Sequence, residues 1–267
     1  MNPLDLVQGA RVIDLAQPYF PGMPHFPTHP PYITGLVKHH GEIVGANGGS
    51  SASDAISLGS HVGTHMDALS HFSCDGRWFG DLPVEQSQTN GMGKYSIDEV
   101  QPILRRGVFF DIAGRLGASA LPADFMVTPQ DLEACEVEVR PGDVVLIRTG
   151  WAKYFDDAKQ FITGGVNQYV NGPGITLPGA EWLSSRNIFA AGSDTVAFER
   201  IPSRDMEVHV HLLVEKGIHI IECLNLEELS AAGVKEFLFA AAPLKLRGAT
   251  GAPIRPFAIL PPLDVPS

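Results

Sequence analysis

Three histidines and one aspartate fall within the eleven residues His61-Val62-Gly63-Thr64-His65-Met66-Asp67-Ala68-Leu69-Ser70-His71. Histidine and aspartate bind divalent metals without help from sulfur. If these side chains act together at one site, the backbone has few options. On a helix His61 and His65 share a face, but Asp67 and His71 then point elsewhere. A straight strand puts all four on one side, yet His61 and His71 would stand about 33 Å apart, against metal–ligand bonds of roughly 2 Å. The chain must therefore turn inside the stretch, and Gly59 and Gly63 are placed to let it. The expected element is a compact loop or loop-to-helix junction. A lone histidine is more often structural than a ligand; here the joint spacing favours a metal site with a general base beside it.

The surrounding chain reads as an α/β protein. Residues 11–16 and the runs GVFFDI, DVVLIRT, IFAAGSD and IHIIE have the β-branched and aromatic character of buried strands. Between them lie helical segments: a capping box at Ser96–Glu99 with a helix continuing to Gly107, a second start at Thr128-Pro129, and helices at about 151–160, 179–187 and 205–216. VKEFLFAAAP and IRPFAI follow. With no internal repeat or composition break, the expectation is one domain over residues 1–267. Five prolines between Pro18 and Pro30 exclude helix or central strand, so residues 17–31 form an ordered loop, an arm or a lid.

Charge and composition narrow the function. A net charge of −11 argues against nucleic acid, which needs clustered Lys and Arg. No window holds the roughly 20 apolar residues of a membrane helix. The N-terminus lacks the basic and apolar regions of a signal peptide, and Cys74, Cys135 and Cys223 are odd in number and far apart, so a cytoplasmic protein with reduced thiols is expected.

HVGTHMDALSH resembles the HxGTHxDxPxH signature of the metal-dependent cyclase-like hydrolases, a family that includes kynurenine formamidases and isatin hydrolases. IDLAQPYFPGMPHFP, GSDT at 192–195 and HLLVEKGIHIIECLNLEEL follow in the family's order, so the resemblance spans nearly the whole chain. It implies a swivelling β/β/α fold, a homo-oligomer (dimer or tetramer), His61, His65 and Asp67 as ligands of Mn²⁺ or Zn²⁺, and His71 as catalytic acid/base. Leu69 departs from the signature, standing where the family has proline.

A second histidine concentration lies at His209, His211 and His219. On an α-helix His209 and His211 point about 200° apart, so they do not serve one ion together. If the helix ends near Gly217 and the next strand folds back, His209 and Glu222 come nearly level. In the family these positions complete a second metal site; a single ion with His209 and Glu222 as hydrogen-bond partners is the other reading. His211 and His219 are expected to be structural.

Two histidines and a carboxylate leave coordination positions open, as a catalytic site requires. The implied reaction is hydrolysis of an aromatic amide or lactam by water acidified at the metal, with His71 moving the proton. Phe20, Phe26, Trp78 and Phe79 are candidates for an aromatic wall. HMDALSH with HVHLLVEKGIHIIE looks nearest the isatin-hydrolysing branch, with N-formylkynurenine as the second substrate. An esterase or lactonase, a non-catalytic metal-binding protein and a cysteine hydrolase built on Cys74 are the rivals.

Overall fold

The computed structural model describes residues 8–84, 88–165 and 169–261. The first seven residues of the chain, and the centre of the glycine-rich loop near residue 167, lie outside them. The strands are β1 (Arg11–Asp14), β2 (Ile33–Lys38), β3 (Ser53–Ser57), β4 (His65–Asp67), β5 (Arg77–Trp78), β6 (Leu82–Pro83), β7 (Ile103–Asp111), β8 (Met126–Val127), β9 (Val144–Arg148), β10 (Gly174–Ile175), β11 (Ala190–Ser193), β12 (His219–Glu222), β13 (Glu236–Ala241), β14 (Gly251–Pro253) and β15 (Phe257–Leu260). Nine of them form one mixed sheet in the order β1-β15-β13-β7-β9-β11-β12-β4-β14. The four central strands, β7, β9, β11 and β12, are parallel. Both flanks are antiparallel.

All five residues of β9 are buried, the near-continuous apolar run of a parallel strand covered on both faces. Alternation splits its neighbourhood in two. Val145 and Ile147 join Val108, Phe110 and Ile220 against helix residues Leu132, Leu183, Leu212 and Leu213. Val144 and Leu146 join Phe109 and Ile221 on the other side, under Leu229, Phe237, Phe239 and Ala258. The antiparallel flank thus curls over the second face of its own sheet.

Local physics corrects three expectations. No helix follows Ser96: Ile97–Glu99 is a single 3₁₀ turn, and β7 begins at Ile103. The Ser96 hydroxyl donates to Asp98 rather than capping, and Pro102 bars Gln101 from helical geometry. The helix expected at 151–160 breaks into a 3₁₀ turn (Trp151–Tyr154) and a helix at Ala158–Thr163, whose own cap is Asp157. The third correction concerns the helix carrying His209. It opens with Glu207–His209 in α geometry and widens into π-helical turns over Val210–Lys216. The wider period turns Val208, Leu212 and Leu213 into the core, whereas Met206, Val210 and Val214 stay half-buried.

The segment 17–31 forms no helix or strand and packs in a third cluster, with Met23, Tyr19, Phe20 and Phe26 around Val62, Trp151 and Phe155. It is clamped to the histidine stretch. The Tyr19 hydroxyl lies 2.9 Å and 2.8 Å from the carbonyls of Val62 and Thr64. Gly63 has φ +64°, and a Cβ there would stand 2.6 Å from the Tyr19 ring. Beyond the segment, β2 and β3 form a separate ribbon in which every β3 residue is exposed.

Candidate metal centre

The histidine stretch turns as its spacing requires, with one regular element inside it. After the turn at Gly63 the chain enters β4 between β12 and β14. His65 sits directly opposite Glu222, and Met66 opposite Ile221. Alternation along β4 therefore puts His65 and Asp67 on the Glu222 face and buries Met66 in the core beneath the sheet. Thr64 ties three segments together: its hydroxyl donates to the Cys223 carbonyl at 2.6 Å and accepts from Gln17 N–H at 2.8 Å. Gly251 of β14 leaves space for His61, since a Cβ there would stand 2.5 Å from the imidazole. His209 arrives from the helix above.

Two donor sets result, His61-His65-Asp67 and Asp67-His209-Glu222, each with its potential ligand atoms within 4.8 Å of one another. Asp67 belongs to both. Its Oδ1 lies 2.7 Å from His61 Nδ1 and 3.5 Å from His65 Nε2, and its Oδ2 lies 3.9 Å from His209 Nε2. Glu222 bridges from the other side, 3.4 Å from His65 and 3.2 Å from His209. All five residues are buried.

The imidazoles are held by their outer nitrogens. His65 Nδ1 donates to the Gly63 carbonyl at 2.8 Å, which leaves the Nε2 lone pair facing Asp67 and Glu222. His209 Nδ1 bonds the buried carboxylate of Glu199, and His61 Nε2 lies 2.8 Å from the Thr250 hydroxyl. His219, outside the donor sets, donates Nδ1–H to the Asp67 carbonyl at 2.9 Å. His211 faces away, bonded to Ser184 and Glu215.

Burial works to raise the Asp67 carboxyl, but His71 and hydrogen-bonded His61 outweigh it and hold the group well below the usual carboxylate range. Burial likewise opposes ionisation of Glu222, yet bonds to His209 and His65 bring it down to about 2. Burial disfavours a charged His209; Glu199 and Glu222 reverse that and push it up to about 10. His65 is raised too, its two carboxylate neighbours overcoming its desolvation. The centre is thus a pocket of carboxylates that demands positive charge, and a divalent cation would supply it while displacing those protons. Asp67 Oδ2 is buried with no hydrogen-bond partner, an arrangement that costs stability in a metal-free protein and is expected of a ligand atom. The donor chemistry, nitrogen plus carboxylate with no thiolate, suits Zn²⁺ or Mn²⁺.

His71 closes the turn after β4, its N–H donating to the Ala68 carbonyl. Its ring stacks on His61 at 3.8 Å and stands 6.3 Å from His209. Burial lowers its pKa to about 3 against the opposing pull of Asp67, so the ring is neutral near pH 7. Leu69, in place of the signature proline, packs into the helix-side core.

Of the aromatic residues singled out above, Phe20 packs on Phe155 at 6.1 Å, and Phe26 reaches the centre through His29, 5.7 Å from it. The structure does not bring Phe79 there. Its ring lies over Gly217, at the far end of the helix from His209, and Trp78 is buried beside it on β5. Hydrophobic packing against a glycine turn is the reason. Phe72 takes the place instead, 5.0 Å from both His71 and His209. Sequence reasoning missed Phe72, Glu199, Thr250 and His29; only Phe72, beside His71, carried a local signal.

The chain is similar to several known proteins over most of its length. An isatin hydrolase from Roseibium aggregatum is 28% identical over 211 residues, covering 76% of this chain and 73% of its own. A kynurenine formamidase from Paracidovorax citrulli is 25% identical over 242 residues, covering 91% and 93%. A crystal structure described as a novel cyclase superposes with a TM-score of 0.82 at 31% identity, over 96% of this chain and 88% of that one. The Cyclase family matches residues 13–200, a span that contains the arm, the histidine stretch and the Asp194 and Glu199 segment behind His209, and the chain belongs to that family.

Proposed function

We propose that this chain, a hydrolase of the Cyclase family, opens the C–N bond of a cyclic or aryl amide, with the lactam of an indole-dione such as isatin as its first substrate. The observation that carries this reading is the buried, doubly shared Asp67, whose Oδ2 has no hydrogen-bond partner among the described residues, with His71 stacked on the neighbouring His61. His61, His65 and Asp67 would hold one Mn²⁺ or Zn²⁺, and Asp67, His209 and Glu222 a second. Such an ion supplies Lewis acidity, polarising a carbonyl and making water a better nucleophile near pH 7.

The protein's own part is proton movement and positioning. His71 Nδ1 or Nε2 takes a proton from the attacking water as its oxygen bonds the carbonyl carbon. The same imidazolium then gives that proton to the nitrogen as the C–N bond breaks, leaving an amine and a carboxylic acid, which ionises. Burial opposes the charged form of His71, and the Asp67 carboxylate offsets this by stabilising the imidazolium as it forms. Phe72 and the arm residues Phe20 and Phe26 shield the face where an aromatic substrate would lie.

The near-full-length match to a kynurenine formamidase favours an arylformamide such as N-formylkynurenine as the second reading. Turnover of both compounds, by protein stripped with chelator and then loaded with each metal in turn, decides between them. Failure on both, with activity on simple esters or lactones, overturns the amidase assignment.

We also propose one domain, a cytoplasmic setting and a homodimer or tetramer. No helix among the described residues is long and apolar enough to cross a membrane. The β2–β3 ribbon exposes Ile33, Leu36, Val37 and Ile56, and a two-stranded ribbon with an uncovered apolar surface is marginal in water alone. Light scattering gives the oligomeric state directly.

A further inference from the structure

The arm delivers an imidazole to the centre that the donor sets do not use. His29 lies near the end of the proline-rich segment, its N–H held by the Phe26 carbonyl at 2.9 Å. Its ring stands 5.5 Å from the His61 ring and 5.7 Å from Phe26. The next residue, Pro30, accepts a hydrogen bond from Gly59 N–H at 3.3 Å, so the arm is pinned to the histidine stretch here as well as at its Tyr19 clamp.

The hydrogen bond of His29 settles what its other nitrogen can do. Nδ1 lies 3.0 Å from the His61 carbonyl oxygen. A carbonyl only accepts, so Nδ1 carries the proton, and in the neutral ring Nε2 keeps its lone pair. Nε2 has no protein partner among the described residues. The ring is half-buried and borders the centre through His61, whose ring is 5.5 Å away. The imidazoles of the centre itself are already engaged, since His61, His65 and His209 are committed to carboxylates and His71 to the proton. His29 Nε2 is an acceptor on a ring held in place next to that of His61.

We propose that His29 Nε2 accepts the N–H of the scissile amide and so makes the site selective for secondary amides and lactams over N-substituted ones. The proposal rests on the hydrolase reading above. Both substrate classes named there carry one N–H on the scissile nitrogen. Holding that hydrogen fixes the rotation of the nitrogen, and the lone pair that develops as the C–N bond weakens then faces away from His29 and is available to His71. His29 is a positioning residue here; the hydrogen it holds stays on the nitrogen throughout.

The test compares isatin with N-methylisatin on metal-loaded wild type, His29→Phe and His29→Gln, each kcat/KM being divided by the compound's rate of hydrolysis by hydroxide. Wild type should favour the N–H compound by about tenfold, the worth of one ordinary hydrogen bond. His29→Phe keeps a ring against Phe26 and His61 but has no acceptor, so its preference should fall to near one, chiefly through KM for isatin. His29→Gln retains an acceptor oxygen and should recover part of the preference. A structural role would slow both compounds equally and leave the ratio unchanged; an unchanged ratio in His29→Phe overturns the proposal while the hydrolase reading stands. Absence of turnover of either compound by wild type overturns the lactam reading and the His29 assignment with it.

Discussion

The two halves of the candidate metal centre are built in opposite ways. His61, His65 and Asp67 come from one stretch of seven residues, and their rings are aimed by uncharged groups, the Gly63 carbonyl and the Thr250 hydroxyl. His209 and Glu222 come from a helix and a strand joined through Gly217, and His209 is aimed by a buried carboxylate, Glu199. A neutral acceptor merely fixes a tautomer; a carboxylate behind an imidazole also raises its basicity. The first half is therefore a rigid cradle made locally, and the second a more strongly donating site whose charge depends on tertiary neighbours. Asp67 is the hinge between them.

That contrast can be broken by experiment. The largest effect is expected for Asp67→Asn, which weakens both halves at once: metal content measured by mass spectrometry should fall at both positions and kcat by more than about 10³-fold. Loss of one ion alone would show that Asp67 is not shared. His71→Ala removes no donor atom from either half. It should retain metal and lose about 10²–10⁴-fold in kcat, the usual worth of a general acid/base, and full activity would remove His71 from the mechanism. Glu199→Gln separates the halves: affinity at the His209 position should drop about 10–100-fold with the His61 position unchanged, as titration calorimetry would resolve. An equal loss at both positions would mean that the halves are not independent. Thr250→Val is the mirror experiment and the smallest, about tenfold or less at the His61 position, because a hydroxyl that fixes an orientation carries no net charge.

The same division runs through what could be read in advance. The turn in the histidine stretch followed from spacing alone, and Gly63 has the positive φ that such a turn needs. The convergence of His209 with Glu222 followed from helix rise and strand rise measured from Gly217, and the two stand 3.2 Å apart. Half of the aromatic wall did not follow, because proximity in sequence placed Trp78 and Phe79 near His71 while packing set Phe79 over Gly217, at the other end of a helix. The helix carrying His209 was misread for a related reason: an α period was assumed where the backbone is π-helical. At Ser96–Gly107 helix signals lost to sheet pairing, since Ile103–Asp111 pairs with strands on both sides.

The sequence by itself determined local geometry: that the backbone bends within the histidine stretch, and that the central strands are buried on both faces. Those properties depend on covalent spacing and on the apolar pattern, both of which are local. Only the tertiary structure decided that β4 is laid against β12 so that Glu222 faces His65, that Glu199 stands behind His209, and that the arm sets His29 at the rim. Each of these joins residues that are neighbours only because the sheet and the docked arm bury apolar surface, and the burial that drives this carries no mark at any single position in the chain.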